Sequence, residues 1–304
     1  MHTGSLKTWA LALTFWLALH TSSLRAQIFT NDLPLQAVTT GSNPVDFEFR
    51  SDGTLIAKGN YGVGSLLSGD QGAGTRLLWF PELAAFRAGY VDGSEWNSSN
   101  IGQYSVAFGH NTTASGPYST ALGEGSSATG TASTAMGKAY ATGTYSTAIG
   151  GATASGTYSL AIGGSYAGGY SSMATGSSYA SGDNSTAMGN GTASGYGALA
   201  FAYGIAVGHY SMAFGLSTTA SGYASTASGL YTTAAASLSF AIGTYNVGGG
   251  NATTWVPTDP LFEIGNGTST TASDALVVYK NGNAILQGTL QVAPGGDIPM
   301  YTGE

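Results

Sequence analysis

Small and bulky residues alternate with a short period through the middle of the chain. Between residues 102 and 243 a glycine recurs every six or seven residues, and only Ala202 and Ala236 replace it. Eleven of the segments between these marks follow one pattern, as in "QYSVAFG", "PYSTALG" and "TYSLAIG". The alternate segments, such as "HNTTASG" and "GATASG", carry small and polar residues instead. Two segments together make a unit of 13 or 14 residues, so the chain contains an internal repeat.

Each repeat predicts two short strands joined by two tight turns. A glycine in every segment would cost a helix about 1 kcal/mol each time, so helices are excluded. Within "YSVAFG" the alternation places Ser105 and Ala107 on a small face and Tyr104, Val106 and Phe108 on a bulky face. Strands stacked about 4.8 Å apart give an all-β fold, a parallel β-roll or solenoid of about eleven rungs and roughly 50 Å in length.

The repeat assigns separate roles to the bulky residues and to the glycines. Because the small faces of both strands fill a thin interior, the bulky residue before each glycine is expected to lie on the outside. A long apolar stripe is a candidate interface, and we predict that several chains bury it against one another: Phe108, Leu122, Met136, Ile149, Ile162, Met188, Phe201, Phe214 and Ile242. The glycines after them are predicted at turns, where positive φ is required: Gly109, Gly123, Gly137, Gly150, Gly163, Gly189, Gly215 and Gly243.

The alternation of "SxAφG", in which φ is a bulky apolar residue, with "xxAS/TG" resembles the head repeat of the YadA-like trimeric autotransporter adhesins. The resemblance covers Gly102 to Gly243, with Thr175 and Ser228 replacing the bulky residue in two repeats. It implies a left-handed parallel β-roll wound around a three-fold axis, and therefore a homotrimer in which the apolar stripe forms the interface. It also implies adhesion to extracellular matrix or to cells. The coiled-coil stalk and C-terminal β-barrel of that family are not recognisable here, which leaves the mode of anchoring open.

The flanking regions predict three further segments. Residues 1–26 have the pattern of a signal peptide, with a basic residue at Lys7 and an apolar run too short to be a permanent membrane span. Residues 27–101 and 244–304 are predicted as β-rich caps or connectors on either side of the adhesin-like head, residues 102–243. An independent binding module is the alternative for these two flanks.

Within the flanks, two stretches have the pattern of a β-hairpin. Residues 45–59, "VDFEFRSDGTLIAKG", turn at Asp52-Gly53, and residues 276–288, "LVVYKNGNAILQG", turn at Asn281-Gly282. "GTRLLWFPELAAFRAG" and "DPLFEIGNG" supply more apolar bulk than any repeat. Such segments are suited to covering the open ends of a solenoid.

Charge and export limit the classes of partner. Without Lys7 and Arg25 of the predicted signal, the eight Lys and Arg residues fall to six against fifteen Asp and Glu, a net charge of −9. No attraction to nucleic acid is therefore expected. No later stretch is long and apolar enough for a transmembrane helix, so the mature chain is predicted to lack one. The predicted signal peptide and the family resemblance together imply a bacterial protein at the cell surface or outer membrane, or secreted.

No catalytic, cofactor-binding or metal-binding residues are predicted. Of the four histidines, His2 and His20 fall in the predicted signal, and His110 and His209 occur in different halves of the repeat. The sequence has no cysteine, and a calcium-binding β-roll would need an Asp in each turn, whereas the repeats contain only Asp183. We expect the two remaining histidines to be exposed turn residues, and we expect no enzyme.

Two functions remain after these exclusions, an adhesive head and a structural trimeric fibre or phage-tail-like segment without a ligand of its own. Ice binding is a distant third, because the threonine array at one repeat position is interrupted in six of the eleven repeats. Five tyrosines at another repeat position have two possible roles, a ligand-binding face or a packing ladder: Tyr104, Tyr118, Tyr145, Tyr158 and Tyr210.

Overall fold

The computed structural model describes residues 47–49, 55–57, 62 and 72–289, and it divides the chain into one unit up to Ala57 and another from Lys58 onward. In the first unit, β1 (Phe47–Phe49) pairs antiparallel with β2 (Leu55–Ala57). This pairing is the hairpin predicted for residues 45–59. The predicted signal peptide lies outside the described residues.

The second unit begins with a hairpin that continues directly into the repeats. Strand β3 (Gly74–Phe80) pairs antiparallel with β4 (Ala85–Val91), and β4 then pairs in parallel with the first strand of the repeat region. A short 3-10 helix, Ser98–Asn100, leads into that region.

Each repeat contributes one strand to a long sheet, and these eleven strands stack in parallel. The extended conformation follows from the alternation of small and bulky side chains, which suits a strand with one face inside. The long strands are β5 (Val106–His110), β7 (Thr120–Glu124), β9 (Thr134–Met136), β11 (Thr147–Ile149), β13 (Leu160–Ile162), β15 (Met173–Thr175), β17 (Thr186–Met188), β19 (Leu199–Phe201), β21 (Met212–Leu216), β23 (Thr226–Leu230) and β25 (Phe240–Thr244).

Between successive long strands the chain forms a two-residue strand of a second parallel sheet. These ten short strands are β6 (Thr113–Ala114), β8 (Ser127–Ala128), β10 (Tyr140–Ala141), β12 (Thr153–Ala154), β14 (Tyr166–Ala167), β16 (Tyr179–Ala180), β18 (Thr192–Ala193), β20 (Ile205–Ala206), β22 (Thr219–Ala220) and β24 (Thr233–Ala234). The β-solenoid therefore has ten complete turns, and β25 adds the long half of an eleventh. The predicted eleven rungs count the long strands alone.

The C-terminal part extends the long sheet beyond the repeats. Strand β26 (Pro260–Asn266) pairs in parallel with β25, β27 (Asp274–Tyr279) pairs antiparallel with β26, and β28 (Ala284–Leu286) pairs antiparallel with β27. The last pair is the hairpin predicted for residues 276–288. With β3 and β4 at the other end, the long sheet has sixteen strands.

The interior between the two sheets is built from alanine and serine. Ala107 of β5 and Ala114 of β6 are fully buried, as are their equivalents along the solenoid. Ser105 and Thr112 complete the interior of the same turn, and both are fully buried. The predicted small interior is confirmed. Since methyl groups and hydroxyls are the largest groups it holds in most turns, the two sheets lie close together.

The length of the long strand differs between the repeats of 14 residues and those of 13. In the outer turns the long strand runs for five residues through its glycine, which has φ between 98° and 127°, as at Gly109. In the middle turns the strand stops after three residues, and the glycine lies in the left-handed region, as at Gly150 with φ 72°. The additional residue thus extends the strand at the two ends of the solenoid.

Every turn also has two fixed left-handed positions at its corners. One lies at the return corner, between a long strand and the next short strand, as at Asn111 and Lys138 with φ 51° and 66°. The other lies at the entry corner, before a long strand, as at Tyr104 and Tyr118 with φ 57° and 60°. Tyr104 therefore lies outside the strand. The prediction that it shares a strand face with Val106 was wrong, because the left-handed turn interrupts the alternation.

Candidate interaction surface

The bulky residues named from the sequence lie on one outward row of the long sheet. The pairing register places Phe108 beside Leu122, Leu122 beside Met136, and each later member beside its neighbour in the next turn. Thr175 and Ser228 occupy the same row in their turns, and Ile264 of β26 extends it. We call this row the bulky stripe. It runs along the whole solenoid without a break in register.

Members of the bulky stripe remain partly open to solvent in the single chain. Phe108, Met136 and Ile162 are 40%, 36% and 37% exposed, and the other members are half-buried. Phe201 and Phe214 stack with ring centroids 5.2 Å apart and nearly parallel rings. Apart from Thr175 and Ser228, the stripe is thus an apolar surface that packs along its own length and stays partly exposed in the single chain.

Tyrosines line the entry corner, at the edge of the long sheet opposite the bulky stripe. The five predicted tyrosines are 40% to 58% exposed. Tyr104 stacks on Tyr118 with centroids 5.0 Å apart, and Tyr145 on Tyr158 at 5.1 Å. These tyrosines pack on one another along the axis while their outer edges face solvent, so both roles considered from the sequence fit their geometry.

A buried arginine occupies the N-terminal end of the solenoid interior. Arg87 of β4 lies in register with the interior Ala107 and is fully buried. Its guanidinium donates hydrogen bonds to the carbonyl oxygens of Ser105 and Ala114, at 3.0 and 2.9 Å, and to Ser105 Oγ at 2.7 Å. Burial lowers its pKa to about 10, so it remains charged at neutral pH. Arg87 thus adds a second donor to each of two carbonyl oxygens that already accept from the backbone, Ser105 O from Phe86 N and Ala114 O from Gly102 N.

A carboxylate and an amide occupy the other end. Glu263 of β26 lies in register with the interior Ala241 and is 2% exposed. Asn246 bonds Thr233 of the last short strand through both side-chain atoms, accepting from its N at 2.7 Å and donating to its O at 2.9 Å. Asn246 also donates to Glu263 Oε2 at 3.0 Å. The Asn246 amide thus takes the place of an eleventh short strand.

Burial raises the pKa of Glu263 to about 7, with a smaller contribution from the nearby carboxylate of Asp274. The hydrogen bonds that Glu263 accepts from Gly248 N and Asn246 oppose this shift. Burial likewise raises the pKa of Asp274. The C-terminal end therefore holds two acidic groups that resist ionisation in the folded state.

Arg87, Asn246 and Glu263 were not predicted as site residues from the sequence, although the sequence contains a signal for two of them. "FRAGY", residues 86–90, pairs residue for residue with "VAFGH" of β5, and "FEIGN", residues 262–266, pairs with "FAIGT" of β25. Both end strands are degenerate repeats in which a charged residue replaces the interior alanine. The glycine and the bulky residue before it are enough to identify the β26 strand as a repeat, and the glycine alone marks β4.

The two histidines of the repeats are exposed and lie in different halves of the repeat. His209 lies in a turn, as predicted. His110 is instead the last residue of strand β5, so the prediction of a turn residue was wrong there, because the long strand of the outer turns continues past Gly109. His110 Nε2 is 3.2 Å from Asp92 Oδ2, and Asn111 donates to the same oxygen at 2.7 Å. These hydrogen bonds, with Asn111 contributing most, lower the pKa of Asp92. Among the residues described, no three His, Asp or Glu side chains form a group that could hold a metal ion.

Comparison with known proteins finds one family whose model matches the repeats. The model of the YadA head domain repeat, in two copies, matches residues 101–126, 114–139, 128–152, 141–165, 167–192 and 206–232. No curated protein matches the chain. In the part of the chain that the structure describes, no helix is long and apolar enough to cross a membrane.

Proposed function

We propose that the protein is a non-catalytic bacterial surface protein, exported by its signal peptide, whose trimeric head attaches to extracellular matrix or to cells. The match of the YadA head domain repeat to most of residues 101–232 supports this proposal. The main structural observation that supports this proposal is the bulky stripe, a partly exposed and largely apolar row that stays in register along the solenoid. Export and the trimer follow from the family resemblance and from this surface together.

The trimer places the bulky stripe of each chain against those of two others. A soluble monomer rarely exposes a contiguous apolar row of this length, because its burial is favourable by roughly 25 cal/mol per Å². A three-fold assembly of left-handed rolls, as in the family, covers three such rows around one axis. The entry-corner tyrosines lie at the opposite edge of the sheet and stay available outside.

The end strands act as caps in this proposal. Without them the terminal turns would expose unpaired backbone groups, which favour end-to-end association. Arg87 and Asn246 bond the backbone of the terminal strands β6 and β24. Residues 27–101 and 244–304 therefore serve as caps or connectors, with the head at 102–243 between them.

One pair of substitutions in the same turn tests the trimer interface. Ile162→Asp places a carboxylate in the bulky stripe, and three such charges around one axis would oppose association. Tyr158→Asp, at the opposite edge and already exposed with φ 59°, is the matched control. We expect Ile162→Asp to reduce the mass measured by light scattering toward one chain, and Tyr158→Asp to leave it unchanged. Equal masses for both variants would contradict the interface.

Adhesion follows from repetition of weak contacts on a rigid, weakly charged surface. The repeats between 102 and 243 contain only Glu124, Lys138 and Asp183 as charged residues. We expect saturable binding of the purified chain to an immobilised matrix protein or to cells, with little dependence on salt because few charges are involved. A chain that assembles and binds none of these would instead be a structural fibre.

A further inference from the structure

An open cleft of about 300 Å³ lies where the C-terminal connector passes the entry corner near the end of the solenoid. Its repeat side is formed by Val207, His209, Ser221 and Tyr223. Its other side is formed by Ala252 and Thr253 of the connector. We call it the connector cleft. Its walls come from both the last repeats and the connector.

Hydrogen bonds fix the connector wall in place. Tyr223 N donates to the carbonyl oxygen of Ala252 at 2.7 Å, and Asn251 N donates to Asp259 Oδ2 at 2.8 Å. Asn251 Oδ1 accepts from the backbone N of Thr253 and of Thr254, each at 3.0 Å. The cleft is therefore formed before any ligand arrives, which lowers the entropic cost of binding.

The lining combines an aromatic ring, small apolar groups and neutral hydrogen-bonding groups. Tyr223 is 45% exposed and Val207 is 46% exposed. Within the described part of the chain, the Ser221 hydroxyl and the His209 imidazole form no hydrogen bond with protein atoms. No Lys, Arg, Asp or Glu is among the residues that line the cleft. Such a site favours a ligand with an apolar face and several hydroxyl groups, and offers nothing to balance a charge.

We propose that the connector cleft binds one neutral pyranose unit of a glycan, with its C–H face on Tyr223 and its hydroxyls on Ser221, Thr253 and His209. A pyranose ring has the required combination of an apolar face and equatorial hydroxyls, and the volume lies at the lower end of that of ligand sites. The cleft lies away from the bulky stripe, so sugar binding does not depend on the trimer. The proposal goes beyond attachment in general, since it names a site and a ligand class.

Saturation-transfer NMR on the purified full chain tests this proposal. The probes are methyl glucoside, methyl galactoside and N-acetylglucosamine, with glucose 6-phosphate as the charged comparison. We expect transfer to at least one neutral sugar and weaker transfer to the phosphate. Absence of transfer to all three neutral sugars, or equal transfer to the phosphate, would overturn the proposal.

Substitutions in the cleft, compared with the same substitutions at equivalent positions elsewhere, show where the sugar binds. Tyr223→Ala and Ser221→Val should each weaken binding of the responding sugar, by about tenfold for the tyrosine. Tyr170→Ala and Ser181→Val, at the equivalent positions of earlier turns, should have no effect. Thr253→Phe, at an exposed connector position, fills the cleft without altering the ladder and should abolish binding. Equal losses in the cleft variants and their controls would contradict the site.

The test of sugar binding can fail or succeed independently of the tests of the trimer and of adhesion. A monomeric chain that binds sugar would contradict only the trimer, and a trimer that shows no saturation transfer would contradict only the cleft. Folding of each variant is checked by its thermal midpoint, so that a lost signal is attributed to the cleft.

Discussion

At the scale of single residues, the interior serines divide into two groups with opposite expected effects. Ser105 is bonded to the charged Arg87, whereas Ser146 is fully buried and its hydroxyl has no hydrogen-bond partner. A buried hydroxyl without a partner costs free energy, and a lost partner of a buried charge costs more. Ala198 already replaces serine at the equivalent position. The hydrogen-bond partner of each serine hydroxyl therefore decides how much that serine contributes to the free energy of unfolding.

Replacing each serine by alanine separates the two groups. Ser105→Ala should lower the free energy of unfolding by about 1–3 kcal/mol, because it removes an acceptor from a buried guanidinium. Ser146→Ala should leave stability unchanged or raise it by up to about 1 kcal/mol. Denaturant unfolding of both variants measures the difference. A larger loss for Ser146→Ala than for Ser105→Ala would contradict these roles.

Glu263 gives the stability of the C-terminal end a pH dependence. Its folded pKa of about 7 lies above the ordinary value of 4.5, so the folded state binds the proton more tightly than the unfolded state. Stability from this group is fully present below about pH 4.5 and falls as the pH rises to about 7. Glu263→Gln should therefore reduce the decline of the thermal midpoint between pH 5 and 8. An unchanged slope would show that Glu263 is ionised throughout.

At the scale of elements, the entry-corner glycines allow the turns to stack closely, because a larger residue there would overlap the next turn. A Cβ added at Gly143 would overlap the carbonyl oxygen of Gly156 in the next turn. At Gly151, in the return corner, an added Cβ meets nothing within 4 Å, and Asn111 and Asn190 occupy the equivalent position. The first glycine is required by close approach, and the second only by its φ of 76°.

This contrast gives a matched pair of substitutions. Gly143→Ala should destabilise the solenoid by at least about 2 kcal/mol, because the ladder on both sides must shift. Gly151→Asn should stay within about 1 kcal/mol of the original chain, since asparagine adopts the left-handed conformation at low cost. Thermal unfolding followed by circular dichroism measures both. Equal losses for the two variants would contradict the requirement for close approach at Gly143.

The strands could be predicted from the sequence, and the end strands in part. Alternation in "SVAFG" predicts one inward and one outward face, and the glycine ladder fixes the register of all turns. Strands β4 and β26 were not recognised as repeats from the sequence, and this has a physical cause. The open end of a solenoid needs polar groups, so Arg87 and Glu263 break the small-residue pattern where the fold ends.

The corners could not be predicted in the same way. Tyrosine, leucine and serine adopt positive φ in several turns, as at Tyr158 and Leu238 with φ 59° and 61°. Left-handed conformations are unfavourable for these residues, by roughly 1–2 kcal/mol each. The parallel ladder imposes the conformation on every turn, so local preference gives no signal. The connector cleft was missed because it joins residues 207–223 to a segment some thirty residues later in the chain.

At the scale of the whole molecule, the account depends on a surface that one chain leaves uncovered. The two sheets enclose only small side chains, while the larger apolar residues of the repeats lie outside. A single solenoid therefore buries little of its bulky apolar surface by itself. Association of three chains through the bulky stripe supplies the burial that the interior of each turn does not.

The mass of the purified chain in solution, measured by light scattering at micromolar concentration, tests this claim most directly. We predict a mass close to three times that of one chain, which is 30.5 kDa for the full 304 residues and smaller once the signal peptide is removed. A stable mass of one chain, independent of concentration, would contradict it, because the bulky stripe would then remain exposed without a partner.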